Sequence, residues 1–202
     1  MSRATETKDG IEAIHAGDRK AWRKWLEKYA TTKKSVFLII YKKVSGKKSV
    51  DYAAAVEEAL CFGWIDSKAV KRDEESVYQY MAKRKPNGVW SKVNKARIER
   101  LIANGSMTEL GMQTIEAAKK NGSWSMLDDV EDLTIPTDLK QKLNENAIAR
   151  SCFESYPASL KKQILHWIKF AKREETRAKR IHEVISFAEK NQRPTRWVYT
   201  AK

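Results

Sequence analysis

The chain has 202 residues, of which 42% are hydrophobic and 33% charged, with seven tryptophans. A chain of that length buries enough surface to fold without disulfide or metal staples, and its aromatic content excludes general disorder. Forty Lys and Arg against 26 Asp and Glu leave a formal charge of +14. Such a surface attracts polyanions by counterion release, or serves only to keep the protein in solution.

Residues 18–30 read as a first helix, which Asp18 can cap and whose Trp22, Trp25, Leu26 and Tyr29 share one face. Lys33 and Lys34 form a loop. Residues 35–43 are the clearest strand, β-branched and aromatic with a continuous apolar centre, which suits a central strand covered on both faces. A turn at 44–48 contains Gly46. Ser49 then caps a second helix with Asp51 in its first turn, Tyr52, Val56, Ala59 and Leu60 as the buried stripe, and Gly63 as its stop. Residues 64–70 and 76–82 read as a hairpin closed by the polar run 71–75. The basic loop 83–88 leads into a helix that starts near Val89, shows Val93, Ile98, Leu101 and Ile102 on its apolar side, and ends at Asn104-Gly105.

Everything beyond reads as helical. Thr108 caps a helix that runs to Asn121-Gly122, and Asp128, Asp129, Glu131 and Asp132 form an acidic linker followed by the extended residues 133–136. Leu139 with Leu143, then Ile148 with Cys152 and Phe153, mark two helices. Pro157 separates them from a helix over 160–171. A last helix carries Ala178, Ile181, Val184, Ile185 and Ala188, and the tail from Arg193 ends in Trp197 and Tyr199. The fold class is α+β: a small antiparallel or mixed sheet with packed helices over 1–122, an acidic linker over 123–136, and a compact helical C-terminal module over 137–202.

Cys61 and Cys152 sit beside apolar neighbours and read as buried thiols rather than a disulfide scaffold. His15, His166 and His182 have no metal-ligand spacing, so neither a metal nor a cofactor is expected. Residues 1–10 are polar and unlike a signal peptide. The longest apolar run, 36–41, is too short to span a bilayer. The expected location is the cytoplasm, without membrane insertion, and the oligomeric state is left open.

Three constellations can carry chemistry. On a strand, Trp64, Asp66 and Lys68 share a face, so an aromatic and an acid can wall a pocket; the alternative is a core Trp beside an Asp paired to the basic loop. Lys83, Arg84 and Lys85 precede a helix N-terminus that bears Trp90, Ser91 and Asn94, an arrangement that suits a phosphate or carboxylate. The alternative is a solvated charge run with a packing Trp. The third is the basic stretch 169–180, interrupted by Glu174 and Glu175. It is either a salt-bridged surface face, with Glu175 and Lys179 as a helix pair, or one wall of an anion groove. No Ser–His–Asp arrangement, phosphate-binding loop or dinucleotide fingerprint is present.

Four strings in order carry a resemblance. They are ALCFGWID over 59–66, WSKVN over 90–94 behind the basic Pro-containing run, Met107-Thr108 with Gly111 and IEAAK over 115–119, and Ala171-Lys172-Arg173 with Glu175-Thr176-Arg177 and Arg180-Ile181. Together they resemble the YdeI/OmpD-associated family, also called the bacteriocin-protection family, over roughly residues 11–192. The resemblance implies a bacterial protein with an α+β front half and a helical C-terminal module, and its names suggest envelope stress or protection against antimicrobial peptides. The family pattern often has proline where this chain has Glu174, which puts the break between the last two helices in question. Trp64, Asp66, Trp90, Ser91, Asn94, Glu175, Thr176 and Arg177 are the matching residues carried over.

The leading expectation is a non-enzymatic binder of anionic ligands, either nucleic acid or a small phosphorylated or carboxylated molecule. Its site residues are Trp64, Asp66, Arg84, Lys85, Trp90, Ser91, Asn94 and Arg177. One alternative is a small-molecule enzyme with Asp66 as acid or base in a Trp-lined pocket. The other is a protein–protein adaptor working through the helical module.

Overall fold

A computed structural model describes residues 6–192; Arg193, Trp197 and Tyr199 of the tail lie outside them. The chain divides into two units, which meet between Ser125 and Met126.

The first unit is a five-stranded mixed sheet with helices on one face. Strands β1 (Thr7–Lys8), β2 (Ile11–His15), β3 (Ser35–Tyr41), β4 (Trp64–Lys71) and β5 (Ser76–Lys83) lie in the order β1-β2-β3-β5-β4. Helix α1 (Arg19–Tyr29) is the crossover that lets β2 run parallel to β3, and the other pairs are antiparallel. The short IEAIH strand is a pairing that the sequence reading missed. Its five residues sit in a polar setting, and their strand character comes from the neighbour β3. The hairpin forms as expected, with a register irregularity between Asp66 and Ala69.

Strand β3 is covered on both faces. Val36 and Leu38 point to the helices, while Phe37 and Ile39 join Ala13 on the opposite face beside Tyr41, Tyr78 and Tyr80. The helix-side core stacks α1 and α2 (Tyr52–Cys61), then α3 (Lys92–Ala103) and α4 (Glu109–Lys120), on the sheet through Trp22, Leu26, Val56, Ala59, Leu101 and Ile115. Side chains such as Leu26, Val56, Leu101 and Ile115 each contribute about 1.5–3 kcal/mol on burial.

Capping decides where these helices start. Asp18 accepts the Ala21 N–H at 2.7 Å. Helix α2 is capped by Asp51, which accepts from Ala54 at 3.0 Å, and not by Ser49, whose Oγ accepts the Tyr41 N–H. Helix α3 starts at Lys92 rather than near Val89, because Ser91 caps it and accepts the Asn94 N–H at 3.3 Å. Thr108 caps α4 and also donates to the Cys61 carbonyl at 2.6 Å, docking α4 onto the end of α2. The approach is close enough that a Cβ on Gly111 would stand 2.4 Å from that carbonyl oxygen.

The second unit is all helical: α5 (Asp128–Glu131), α6 (Thr137–Asn144), α7 (Ala147–Ser155), α8 (Ala158–Lys169) and α9 (Glu174–Glu189). Leu139, Leu143, Phe153, Ile164, Ile168, Ile181 and Val184 are buried there. The acidic stretch folds into α5, and its charges are used. Lys169 Nζ bonds both Asp129 carboxylate oxygens at 2.6 and 2.7 Å, and Lys162 bonds Glu131 at 2.7 Å. The break between the last two helices falls at Phe170–Arg173, and Glu174 is the first residue of α9. That position accepts proline because its N–H is unused, and it accepts an acid because of the helix dipole, so the departure at Glu174 leaves the break intact. Among the described residues no helix is long and apolar enough to cross a membrane. Both cysteines are free and buried.

Candidate functional site

The loop between β5 and α3 is held to its surroundings by several hydrogen bonds. The Arg84 N–H donates to the Gly63 carbonyl at 3.0 Å, and Gly88 closes a turn onto Lys85 at 2.9 Å. The Pro86 carbonyl accepts from Asn121 Nδ2 at 2.9 Å and from Ser123 Oγ at 3.3 Å. A loop held at both ends and in the middle keeps its side chains pre-positioned.

Arg84 is the unusual group on it. Its guanidinium carbon lies 3.5 Å from the centre of the Trp90 ring, and Nη2 donates to the Val89 carbonyl at 2.7 Å. Nε is buried without a partner, as is the Trp90 indole N–H. Burial lowers the Arg84 pKa to about 10 even though Asp66 acts in the opposite direction. No carboxylate is within hydrogen-bonding reach of Arg84 among the described residues.

Arg84 lines a cavity of about 400 Å³. Lys83, Gly63 and Phe62 form one side, and α4 forms the other through Leu110, Gln113, Thr114 and Ala117. Lys83 Nζ donates to the Thr31 carbonyl at 2.6 Å. Among the described residues the wall therefore holds two cations, two threonines, an amide and apolar surface, with no carboxylate, histidine or cysteine. The volume lies within the range of small-molecule sites.

The other expected site residues do not line the cavity. Trp64 is fully buried, stands edge-on to Trp25 and donates its indole N–H to the Ala30 carbonyl at 3.2 Å. It offers no surface to a ligand, because its strand position faces the helix layer. Asp66 is held by the Tyr52 hydroxyl at 2.6 Å. Burial and that hydrogen bond push the Tyr52 phenol up to about 12, although 47% of the residue remains exposed. Near Tyr52, Arg97 donates to Asn94 Oδ1 at 2.9 Å, while Ser91 is engaged as the cap of α3. Lys85 is exposed. Arg177 belongs to the second unit, where it forks onto Asp138 through Nε at 2.6 Å and Nη2 at 2.9 Å. Of the eight, Arg84 alone lines the cavity, and Trp90 is the ring it stacks on.

One cluster was not expected. Glu58 is 3% exposed and accepts from Arg19 at 2.6 Å and from Arg23 at 2.8 Å, tying α1 to α2. Nearby, burial pushes the Cys61 thiol up to about 11, so it stays protonated and unreactive at neutral pH. The sequence signal was weak: one glutamate on an otherwise apolar helix face. Among the described residues no group of His, Cys, Asp and Glu is arranged to hold a metal ion.

Residues 14–114 match a domain of unknown function, DUF8412. Residues 132–191 match the domain described as bacteriocin-protection, YdeI or OmpD-associated. The resemblance noted above is thus borne out over 132–191, where its fourth string lies, while 59–66 and 90–94 fall in the DUF8412 part. No curated protein and no solved structure matches the chain. The chain therefore belongs to DUF8412 through half of its length, residues 14–114, and carries behind it the domain of the bacteriocin-protection, YdeI or OmpD-associated family, residues 132–191.

Proposed function

We propose that the protein is a non-enzymatic binder of a small carboxylated or phosphorylated molecule, held in the cavity beside Arg84. The observation that carries this reading is a half-buried guanidinium, stacked on Trp90, with a buried unpartnered Nε and no carboxylate partner, at the wall of a cavity that no acid lines among the described residues. A desolvated cation gains most from an anion that enters the same low-dielectric site. The wall supplies binding groups rather than a general base, which favours binding over catalysis. Asp66 is turned to Tyr52 and does not line the cavity, so nothing there favours it as a catalytic acid. We place this activity in the cytoplasm of a bacterium, with bacteriocin protection, after which the family of the second domain is described, as its setting.

The test is calorimetry of the full chain against a panel of small carboxylates and phosphate monoesters, with Trp fluorescence as the second readout. Saturable binding by at least one compound is expected, weakened about tenfold or more in Arg84→Met, a loss of about 1.4 kcal/mol. A panel that shows no binding up to about 10 mM, or an Arg84→Met variant that binds as well as wild type, overturns the reading.

The charge of +14 favours a second reading, weak association with nucleic acid over the basic surface. Its mark is an affinity that falls steeply as salt rises.

A further inference from the structure

The second unit contains a cleft of about 520 Å³ that the preceding proposal does not use. Helix α6 forms one side. The turn before α9 and the first three turns of α9 form the other.

The floor is apolar. Ala178, Ile181 and Ile185 line it, at the three- and four-residue spacing that places side chains on one helix face. Arg177 does not reach out for a ligand. It forks onto Asp138 and places a third bond, 3.3 Å, on the Ile168 carbonyl, so it neutralises the one acid of α6 in the cleft and braces the walls. Lys142 is likewise paired, to Glu145 at 2.7 Å. The charges left at the mouth are Lys172 and Arg173, with Glu174 as the one acid without an ion pair. All three are exposed, and none has an ion pair among the described residues.

This combination selects a ligand chemistry. An apolar floor favours a hydrocarbon body, at about 0.8 kcal/mol for each methylene buried. A mouth with two free cations and one acid carries one net positive charge, which complements a monoanion better than a phosphate dianion. A guanidinium also receives a carboxylate in its two-donor fork.

We propose that the cleft between α6 and the start of α9 binds a small amphipathic carboxylate, its chain along Ala178, Ile181 and Ile185 and its head at Lys172 and Arg173. This site is separate from the Arg84 cavity, and neither reading depends on the other.

Calorimetry of the full chain with octanoate, and with 1-octanol as the neutral control, tests it. One equivalent of octanoate is expected to bind, with octanol weaker by about tenfold or more. The Lys172→Ala/Arg173→Ala double variant should lose about tenfold in octanoate affinity and leave octanol unchanged. Ala178→Trp, which fills the floor from an exposed position, should abolish octanoate binding. Both variants should keep the wild-type Tm, because all three side chains are exposed. Arg84→Met should bind octanoate as wild type does, which separates this site from the first. Absence of saturable octanoate binding by wild type, equal affinity for octanol, or undiminished binding by the double variant or by Ala178→Trp would each overturn the proposal.

Discussion

Arg84 shows how a binding residue differs from a structural one at the level of a single side chain. A structural arginine is satisfied by its own protein, as Arg177 is by Asp138 and Arg23 by Glu58. Arg84 is desolvated against Trp90 and has an orphaned Nε. Replacing an unpaired buried charge by an apolar chain of similar length is neutral or stabilising, whereas removing one partner of a buried pair is costly. Arg84→Met is therefore expected to keep or raise the Tm while losing ligand. Glu58→Gln removes the buried carboxylate, but Arg19 and Arg23 are partly exposed and keep Glu57 and Glu27, so it should lower stability by about 1–2 kcal/mol. Thermal melts of the two variants side by side check the contrast. The basic run containing Arg84 was legible in the sequence. Its stacking on a ring six residues away, and the missing carboxylate, were not, because both depend on how the loop turns back.

At the scale of elements, close packing and helix ends set the geometry of the sites. Gly111 brings α4 against the end of α2, and α4 is one wall of the Arg84 cavity. A Cβ there meets backbone, which cannot swing aside, so Gly111→Ala should cost about 1–3 kcal/mol by denaturant unfolding and weaken ligand binding by displacing that wall. In the second unit the Arg177 fork holds the Asp138 carboxyl below the usual carboxylate range. A carboxyl with a lowered folded-state pKa contributes stability that is present above its unfolded pKa and lost as pH falls through the folded one. Asp138→Asn should thus flatten the acid limb of stability below about pH 4. At neutral pH it should cost about 1 kcal/mol or less, since the pair is partly exposed. Urea melts at pH 7 and pH 3 measure both effects. Helix identity was legible from apolar spacing, but helix starts were less so. Ser49 and Asp51 were both competent caps for α2, and the choice fell to Asp51 because the end of β3 engages Ser49.

For the molecule as a whole, the charge of +14 makes one further behaviour measurable. Titration with single- and double-stranded DNA is expected to show binding at low salt that falls steeply as salt rises, the mark of counterion release. Small-anion binding in the Arg84 cavity should depend far less on salt, because a buried pair is screened less than an exposed one. A DNA affinity that resists salt would transfer the main activity to nucleic acid. By itself the sequence determined the α+β class, the hairpin, the all-helical second half and the basic loop, because hydrophobic period, caps and turn residues are local properties. Tertiary structure alone decided that β2 pairs with β3, that Trp64 serves the core, that Arg177 is consumed by Asp138, and that Arg84 keeps an unmatched charge at a cavity wall. Each of these depends on which distant group fills the space beside a side chain, and no local pattern encodes that.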